Sequence, residues 1–240
     1  MKLVIFDIDG TLTQTSRVDA ICYTRAMAEL HALLEIDTNW ENCPHVSDSG
    51  VTQYIFQQRF GRGPHSHEEE AIKSRLTDLL REHHLMDPRS FAEVSGAREM
   101  LGLLSQKCDW LKAIATGCWQ PSAEVKLGAA RIDYKDVPSG FAEDGIARET
   151  IVSAAISRSL TSYQRKDFSR IVSVGDGIWD VRTAANLGLA FIGIADDARA
   201  DALRRAGAKC IIPDFKDPDR FFDCLEEAEI PDRSESPSPA

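Results

Sequence analysis

Hydrophobic positions in this 240-residue chain follow three rhythms. The first is an unbroken run, Leu3, Val4, Ile5 and Phe6, stopped by "DG" ahead of Thr11. A continuous apolar run closed by a turn dipeptide predicts a strand buried on both faces. From residue 16 to about 95 the rhythm is helical and no buried strand is evident. In "SRVDAICYTRAMAELHALLE", Val18, Ile21, Leu30, Leu33 and Leu34 recur at helical intervals, with Ser16 and Asp19 able to form a capping box. "VTQYIFQQRFG" places Val51, Tyr54 and Ile55 on one stripe and stops at Gly61. "SHEEEAIKSRLTDLLREHH" offers Ser66 and Glu69 as a second capping box, with Ile72, Leu76, Leu79 and Leu80 as its buried stripe.

The third rhythm begins near residue 96 and alternates short apolar runs with amphipathic stretches. A helix over 97–106 leads into "LKAIA", a helix starts near Pro121, and another spans 147–160. Then come "RIVSVG", a helix ending near Gly188, "LAFIGIA", a helix ending near Gly207, and "KCII". Such alternation predicts an α/β fold, a Rossmann-like parallel sheet covered on both faces. The expected division is therefore an α/β core of residues 1–15 and 96–228 with a helical module, 16–95, inserted into it. The closing "PDRSESPSPA" is rich in Pro, Ser and charge, and 229–240 reads as a disordered tail.

Composition narrows the function classes. A hydrophobic fraction of 43% with 28% charged residues is ordinary for a globular protein. A formal charge of −10 makes nucleic acid and anionic membrane poor partners. No apolar stretch reaches bilayer length and the first residues lack a signal-peptide pattern, so a cytoplasmic location is the default. A monomer is the default too, since no heptad run appears. The six cysteines are scattered without a C-x-x-C pair and read as reduced, packed thiols.

Candidate chemistry gathers at three strand ends. Asp7 and Asp9 follow the first run and straddle Ile8, so on an extended chain both carboxylates emerge on one side. Two like charges that close need a cation, a shared proton or separate hydrogen bonds. After "LKAIA", Thr116 supplies a hydroxyl and Gly117 exposes backbone N–H groups suited to an anion. After "RIVSVG", Asp176 and Asp180 lie four apart, the second one turn into a helix. In parallel sheets ligands collect at this carboxyl edge. Several carboxylates around one point make a hard-oxygen site that suits Mg²⁺ with phosphate as its companion.

"DIDGT", then "ATG", then a basic residue in "GIARETI", then "VGDGIWD" resembles the haloacid dehalogenase superfamily, in its phosphatase-type branch that includes phosphoglycolate phosphatase and β-phosphoglucomutase. The resemblance implies an α-helical cap inserted after the first motif, over 16–95. It also implies Asp7 as nucleophile, Asp9 as general acid and base, and Thr116 as a hydrogen-bond donor to phosphate. Asp7 and Asp176, with the backbone carbonyl of Asp9, would hold Mg²⁺, with Asp180 as an additional ligand or an outer support. Thr11 and Gly117 would add phosphate contacts. Where many members carry a lysine this chain has Arg148, whose fork can also clamp phosphate, although a solvated arginine in a first helical turn would look the same.

Asp9 argues for phosphate over halide as leaving group, because carbon-attacking members of the superfamily resemble "DxYGT" there. A Schiff-base mechanism needs a lysine in the insert, and Lys73, the sole lysine between 14 and 106, fits a polar helix face. In "PHVSDSGV", Asp48 is the candidate substrate contact, with an N-cap at Asp48 or Ser49 as the competing reading. All six histidines lie in the insert without metal-ligand spacing. The expectation is a phosphatase acting on a small phosphorylated metabolite. A phosphomutase of the β-phosphoglucomutase type and a non-catalytic binding protein are the alternatives.

Overall fold

A computed structural model describes residues 1–232. Its sheet comprises β1 (Lys2–Phe6), β2 (Trp110–Ala115), β3 (Ser139–Gly140), β4 (Arg170–Gly175), β5 (Ala190–Ile194) and β6 (Cys210–Ile212). All pairings are parallel, in the order β3-β2-β1-β4-β5-β6. The insert holds α1 (Ser16–His31), α2 (Asp48–Phe60) and α3 (Ser66–Met86). The remaining helices are α4 (Ala97–Leu104), α5 (Gln120–Ala129), α6 (Arg148–Ser162), α7 (Ile178–Leu187), α8 (Asp197–Arg205) and α9 (Pro218–Glu227).

The central strand explains the opening apolar run. Residues Leu3 to Phe6 are each at most 1% exposed, because both faces of β1 are covered. Val4 and Phe6 join the apolar cluster that takes in α4, α5 and α9, while Leu3 and Ile5 join the one built with α6, α7 and α8. The chain leaves β1 toward β2 on one side and returns as β4 on the other, which opens a crevice at the carboxyl ends of these strands.

The insert departs and returns through a narrow neck. Thr13 bridges antiparallel to Glu93, Gln14 N–H donates to the Ala92 carbonyl at 2.8 Å, and Val94 N–H donates to the Leu12 carbonyl at 2.9 Å. A third apolar cluster unites α1, α2 and α3 and takes in Trp119, beside the start of α5. The Trp119 Nε1–H donates to Ser49 Oγ at 2.9 Å, so the core helix reaches into the insert.

Several local expectations are corrected. In α1 the buried face is Val18, Cys22, Tyr23, Ala26 and Met27, whereas Ile21 and Leu30 are exposed and Leu34 lies past the helix end. Small and aromatic residues at i, i+4, i+5, i+8 and i+9 outcompete the larger aliphatics because packing selects a face, not a residue type. Thr15, not Ser16, occupies the N-cap of α1 and its side chain makes no capping bond to the helix, so Ser16 and Asp19 form no capping box. In α3 the box shifts back by one, with Glu68 Oε2 accepting from His65 N–H at 2.7 Å. Ser47, not Asp48 or Ser49, caps α2, its Oγ accepting from Gly50 N–H at 3.1 Å. Strand β3 and helix α9 add to the elements the pattern indicated. The expected tail begins with residues tied to the core: Phe191 N–H donates to the Glu229 carbonyl and Asp232 N–H to the Gly207 carbonyl. The rest of that tail, 233–240, lies outside the described residues. No helix among the described residues is long and apolar enough to cross a membrane.

Candidate active site

Three strand ends and one helix start converge at the crevice. Asp7 follows β1, and its N–H donates to the Val174 carbonyl at 2.9 Å, prolonging the β1–β4 ladder by one residue. Ile8 turns into the core, as the alternation requires. Gly10 then adopts φ +77°, and a Cβ there would lie 1.9 Å from Asp176 Oδ2. The turn thus needs glycine twice, for its backbone angle and for the closeness of the facing carboxylate.

Asp176 follows β4. Asp180, in the first turn of α7, reaches back so that its Oδ2 accepts from Gly177 N–H at 3.0 Å. Asp7, Asp176 and Asp180 place carboxylate oxygens within 4.8 Å of one another, all buried. Arg148, the first residue of α6, is only 7% exposed, which removes the solvated reading. Its Nη2 donates to Asp180 Oδ1 and lies 3.3 Å from Asp7 Oδ1. Arg199 Nη1 donates to Asp176 Oδ2 at 2.9 Å.

Burial pushes the Asp7 carboxyl well above the usual range, opposed by Arg148 and reinforced by Asp180 and Asp176. Burial, with Asp180 next, pushes Asp176 up to about 7. Burial works against the Arg148 charge, yet Asp180 and Asp7 outweigh it and hold the guanidinium protonated. The donor set suits a hard divalent cation: three buried carboxylates with two guanidinium groups against them, and an Asp7 Oδ1 that accepts no hydrogen bond.

These residues open on a cavity of about 360 Å³. Asp7, Asp9, Thr116, Gly117, Arg148 and Asp176 line it from the sheet, with Tyr23, Trp40 and Val51 contributed by the insert. Thr116 Oγ1 accepts from Cys118 N–H at 3.3 Å, and a Cβ on Gly117 would meet Arg148 Nη1 at 2.6 Å. Asp48 is also on the wall, but its Oδ2 accepts from Trp119 N–H at 2.8 Å and its own N–H donates to the Gly117 carbonyl at 2.7 Å. It therefore ties the insert to the Thr116 loop. Thr11 is fully buried, is not on the cavity wall, and its Oγ1 has no hydrogen-bond partner, which argues against the phosphate contact expected of it. No histidine belongs to either acidic group found among the described residues.

Asp9 shares the cavity with Asp7 but not its cluster. Its carboxylate turns to a second group, with Asp19 and Cys118, centred on Lys126. The Lys126 side chain is completely buried, with Nζ 2.8 Å from Asp9 Oδ2, 2.5 Å from Asp19 Oδ1 and 3.1 Å from Cys118 Sγ. Thr15 Oγ1 donates to Asp9 Oδ1 at 2.5 Å, and Cys118 Sγ donates to Oδ2 at 2.8 Å. Burial would raise the Asp9 carboxyl, but Lys126, Cys118 and Thr15 overcome it and hold the group below the usual range. Lys126 and Asp19 escaped the sequence reading. The available signal was a charged residue on a buried stripe: Lys126 falls between Ala123 and Leu127, and Asp19 between Val18 and Cys22.

Comparison with known proteins agrees with this architecture. A family model described as haloacid dehalogenase-like hydrolase matches residues 1–188. A hydrolase from Pseudomonas syringae superposes with TM-score 0.70 at 19% identity, covering 95% of this chain and 99% of its own. A putative beta-phosphoglucomutase from Bacteroides vulgatus gives 0.64 at 15% identity, covering 94% and 89%. A predicted phosphoglycolate phosphatase from Haemophilus somnus gives 0.59 at 16%, covering 92% and 98%. No curated protein matches. At these identities the structures speak for the shared fold. The family model, matched over most of the chain on the same strand ends that build the crevice, shows that this chain belongs to the haloacid dehalogenase-like hydrolases.

Proposed function

We propose that the chain is a Mg²⁺-dependent phosphatase that hydrolyses a small phosphate monoester through an aspartyl-phosphate on Asp7. The observation carrying this reading is the buried Asp7 carboxylate, whose Oδ1 accepts no hydrogen bond and lies 3.3 Å from Arg148 Nη2, at a cavity lined by Asp7, Arg148, Thr116 and Gly117. The names of two structural neighbours, a phosphoglycolate phosphatase and a beta-phosphoglucomutase, agree with a small phosphorylated substrate.

In this reading the Thr116 hydroxyl, the Gly117 backbone and the Arg148 guanidinium bind the phosphoryl oxygens and orient phosphorus toward Asp7. A carboxylate oxygen of Asp7 attacks phosphorus, and the bond to the ester oxygen breaks. Asp9 gives that oxygen a proton as it leaves, then takes one from the water that attacks the aspartyl-phosphate. Phosphate departs and Asp7 is restored. Asp7, Asp176 and Asp180, with the Asp9 carbonyl, would hold Mg²⁺, which supplies charge neutralisation for the phosphoryl group. Tyr23, Trp40 and Val51 give the insert a role in excluding water and selecting the leaving group.

The test is inorganic phosphate released from 4-nitrophenyl phosphate with Mg²⁺ or with EDTA, for the wild type beside Asp7→Asn. Release that needs Mg²⁺ and vanishes in the variant is expected. Release that persists in Asp7→Asn would overturn the nucleophile. Turnover confined to a sugar phosphate given a bisphosphate activator, without stoichiometric phosphate, would establish the mutase instead.

A further inference from the structure

The cavity has two unlike sides, and the chemistry above uses only one of them. The sheet edge supplies charge and a hydroxyl, through Asp7, Asp176, Arg148 and Thr116. The insert's wall is built from Tyr23, Trp40, Val46 and Val51, and Trp179 of α7 borders the same space. Trp179 stands in "GDGIWD", yet none of the three apolar clusters includes it, although its neighbour Ile178 packs into one. Its indole folds back over Gly177, where a Cβ would lie 2.1 Å from Cε2. With φ −104°, Gly177 is required there for room and not for its backbone angle. Trp40 is held from two directions. Its ring meets Tyr23 edge to face at 5.8 Å, and its segment is tied by the Asp37 carboxylate, which accepts from Asn39 N–H and Asn42 Nδ2–H, each at 2.8 Å.

The polar groups that the insert brings to this wall are committed to other partners. The Tyr23 hydroxyl bonds with Thr52 Oγ1 at 2.7 Å, and Ser47 Oγ donates to the Ile146 carbonyl at 2.7 Å. Asp19 pairs with Lys126, and Asp48 accepts from Trp119 N–H. Ser16, Arg17 and Thr38 are exposed and so belong to the solvent side of the cavity. A polyhydroxylated leaving group entering against such a wall would lose water without regaining hydrogen bonds. A planar apolar ring would instead gain contact with the two indoles.

We infer that the substrate is the phosphate ester of an alcohol bearing an aromatic ring, and that Trp40 and Trp179 are its specificity-determining contacts. The assignment rests on the phosphatase reading and deepens it by naming the substrate class. The phosphoryl group occupies the charged edge, while the ring lies against the insert's wall and Trp179.

The test compares primary alkyl phosphates, whose reacting ends are alike: benzyl phosphate, glucose 6-phosphate and ethyl phosphate. Acetyl phosphate serves as an activated donor without a ring. Phosphate release in Mg²⁺ should give a kcat/KM for benzyl phosphate at least about tenfold above that for glucose 6-phosphate. The ratio of benzyl to ethyl phosphate should fall about fivefold in Trp40→Leu and in Trp179→Leu, each checked for folding by circular dichroism. Hydrolysis of acetyl phosphate without a preference for benzyl over glucose 6-phosphate would overturn the aromatic assignment and leave the phosphatase reading standing. A ratio that both variants retain in full would overturn the roles of Trp40 and Trp179. Release from none of the four by the wild type would overturn the phosphatase reading itself, and this assignment with it.

Discussion

Arg148 offers the sharpest test of how the acidic cluster is held together. Its guanidinium is buried beside Asp180 and Asp7, and with Arg199 it balances three carboxylates whose oxygens lie within 4.8 Å of one another. Arg148→Met keeps most of the side-chain volume and deletes the charge, leaving Asp7 and Asp180 uncompensated. Breaking a buried ion pair from one side costs about 3–5 kcal/mol. For a chain of this size each kcal/mol moves the unfolding midpoint by about 2–4 °C, so the variant should melt roughly 6–20 °C below the wild type. The comparison must be made in EDTA, because a cation bound among the same acids replaces the lost charge. Adding millimolar Mg²⁺ should recover part of the difference, as any ligand preferring the folded state does. Arg148→Lys keeps the charge but loses the fork, so its midpoint should lie between the two. Thermal unfolding followed by circular dichroism reads all three. A shift under 2 °C for Arg148→Met in EDTA would refute the claim that this arginine compensates the cluster.

Two further outcomes follow from the same geometry. Gly10→Ala places a Cβ onto the Asp176 carboxylate and forces a residue with a side chain into the left-handed region, worth about 1–2 kcal/mol before the collision is counted; calorimetric titration should find Mg²⁺ affinity weakened at least tenfold, and wild-type affinity would contradict the placement of Asp176. Hydrogen bonds from Arg75 and Arg25 hold Glu29 down to about 2, and Arg62 with the His65 N–H does the same for Glu68. Both folded values lie below the unfolded carboxyl value of about 4.3, so this contribution is complete above that pH and is lost as pH falls toward 2. Urea midpoints should therefore drop between pH 5 and pH 3, less steeply in Glu29→Gln, and an identical slope in that variant would refute the contribution of the Arg25–Glu29–Arg75 group.

The strands were legible because burial on both faces leaves an unmistakable residue run, as in Leu3 to Phe6, and because glycine or aspartate marks each carboxyl end. Strand β3 was not, since two residues, Ser139 and Gly140, carry no pattern and exist as a strand only by pairing with Ile114 and Ala115. The face of α1 was misjudged for a related reason: Cys22, Ala26 and Met27 become core only once α2 and α3 pack against them. At the site, Asp7, Asp176 and Asp180 announced themselves by strand-end position and spacing, and Arg148 through the resemblance, with a solvated arginine as its competing reading. Their partition did not. That Asp9 turns from Asp7 toward Lys126 depends on which helix passes overhead, and spacing within one strand cannot report a partner more than a hundred residues away.

The neck at Thr13 and Glu93 bears on how such an insertion can be carried at all. A long excursion between two neighbouring strands ordinarily taxes their pairing, because the ends of a large flexible loop must be brought together. Here the outgoing and returning segments clasp each other within one residue of the turn after β1, through Gln14 with Ala92 and Leu12 with Val94. Once clasped, the route from β1 to β2 is topologically short, and the insert meets the carboxyl edge of the sheet again through contacts such as those of Asp48 with Gly117 and Trp119. The excursion past residues 14 and 92 can therefore be long without burdening the β1–β2 pairing, and the wall it supplies through Tyr23, Trp40 and Val51 stands over strand ends already closed beneath it.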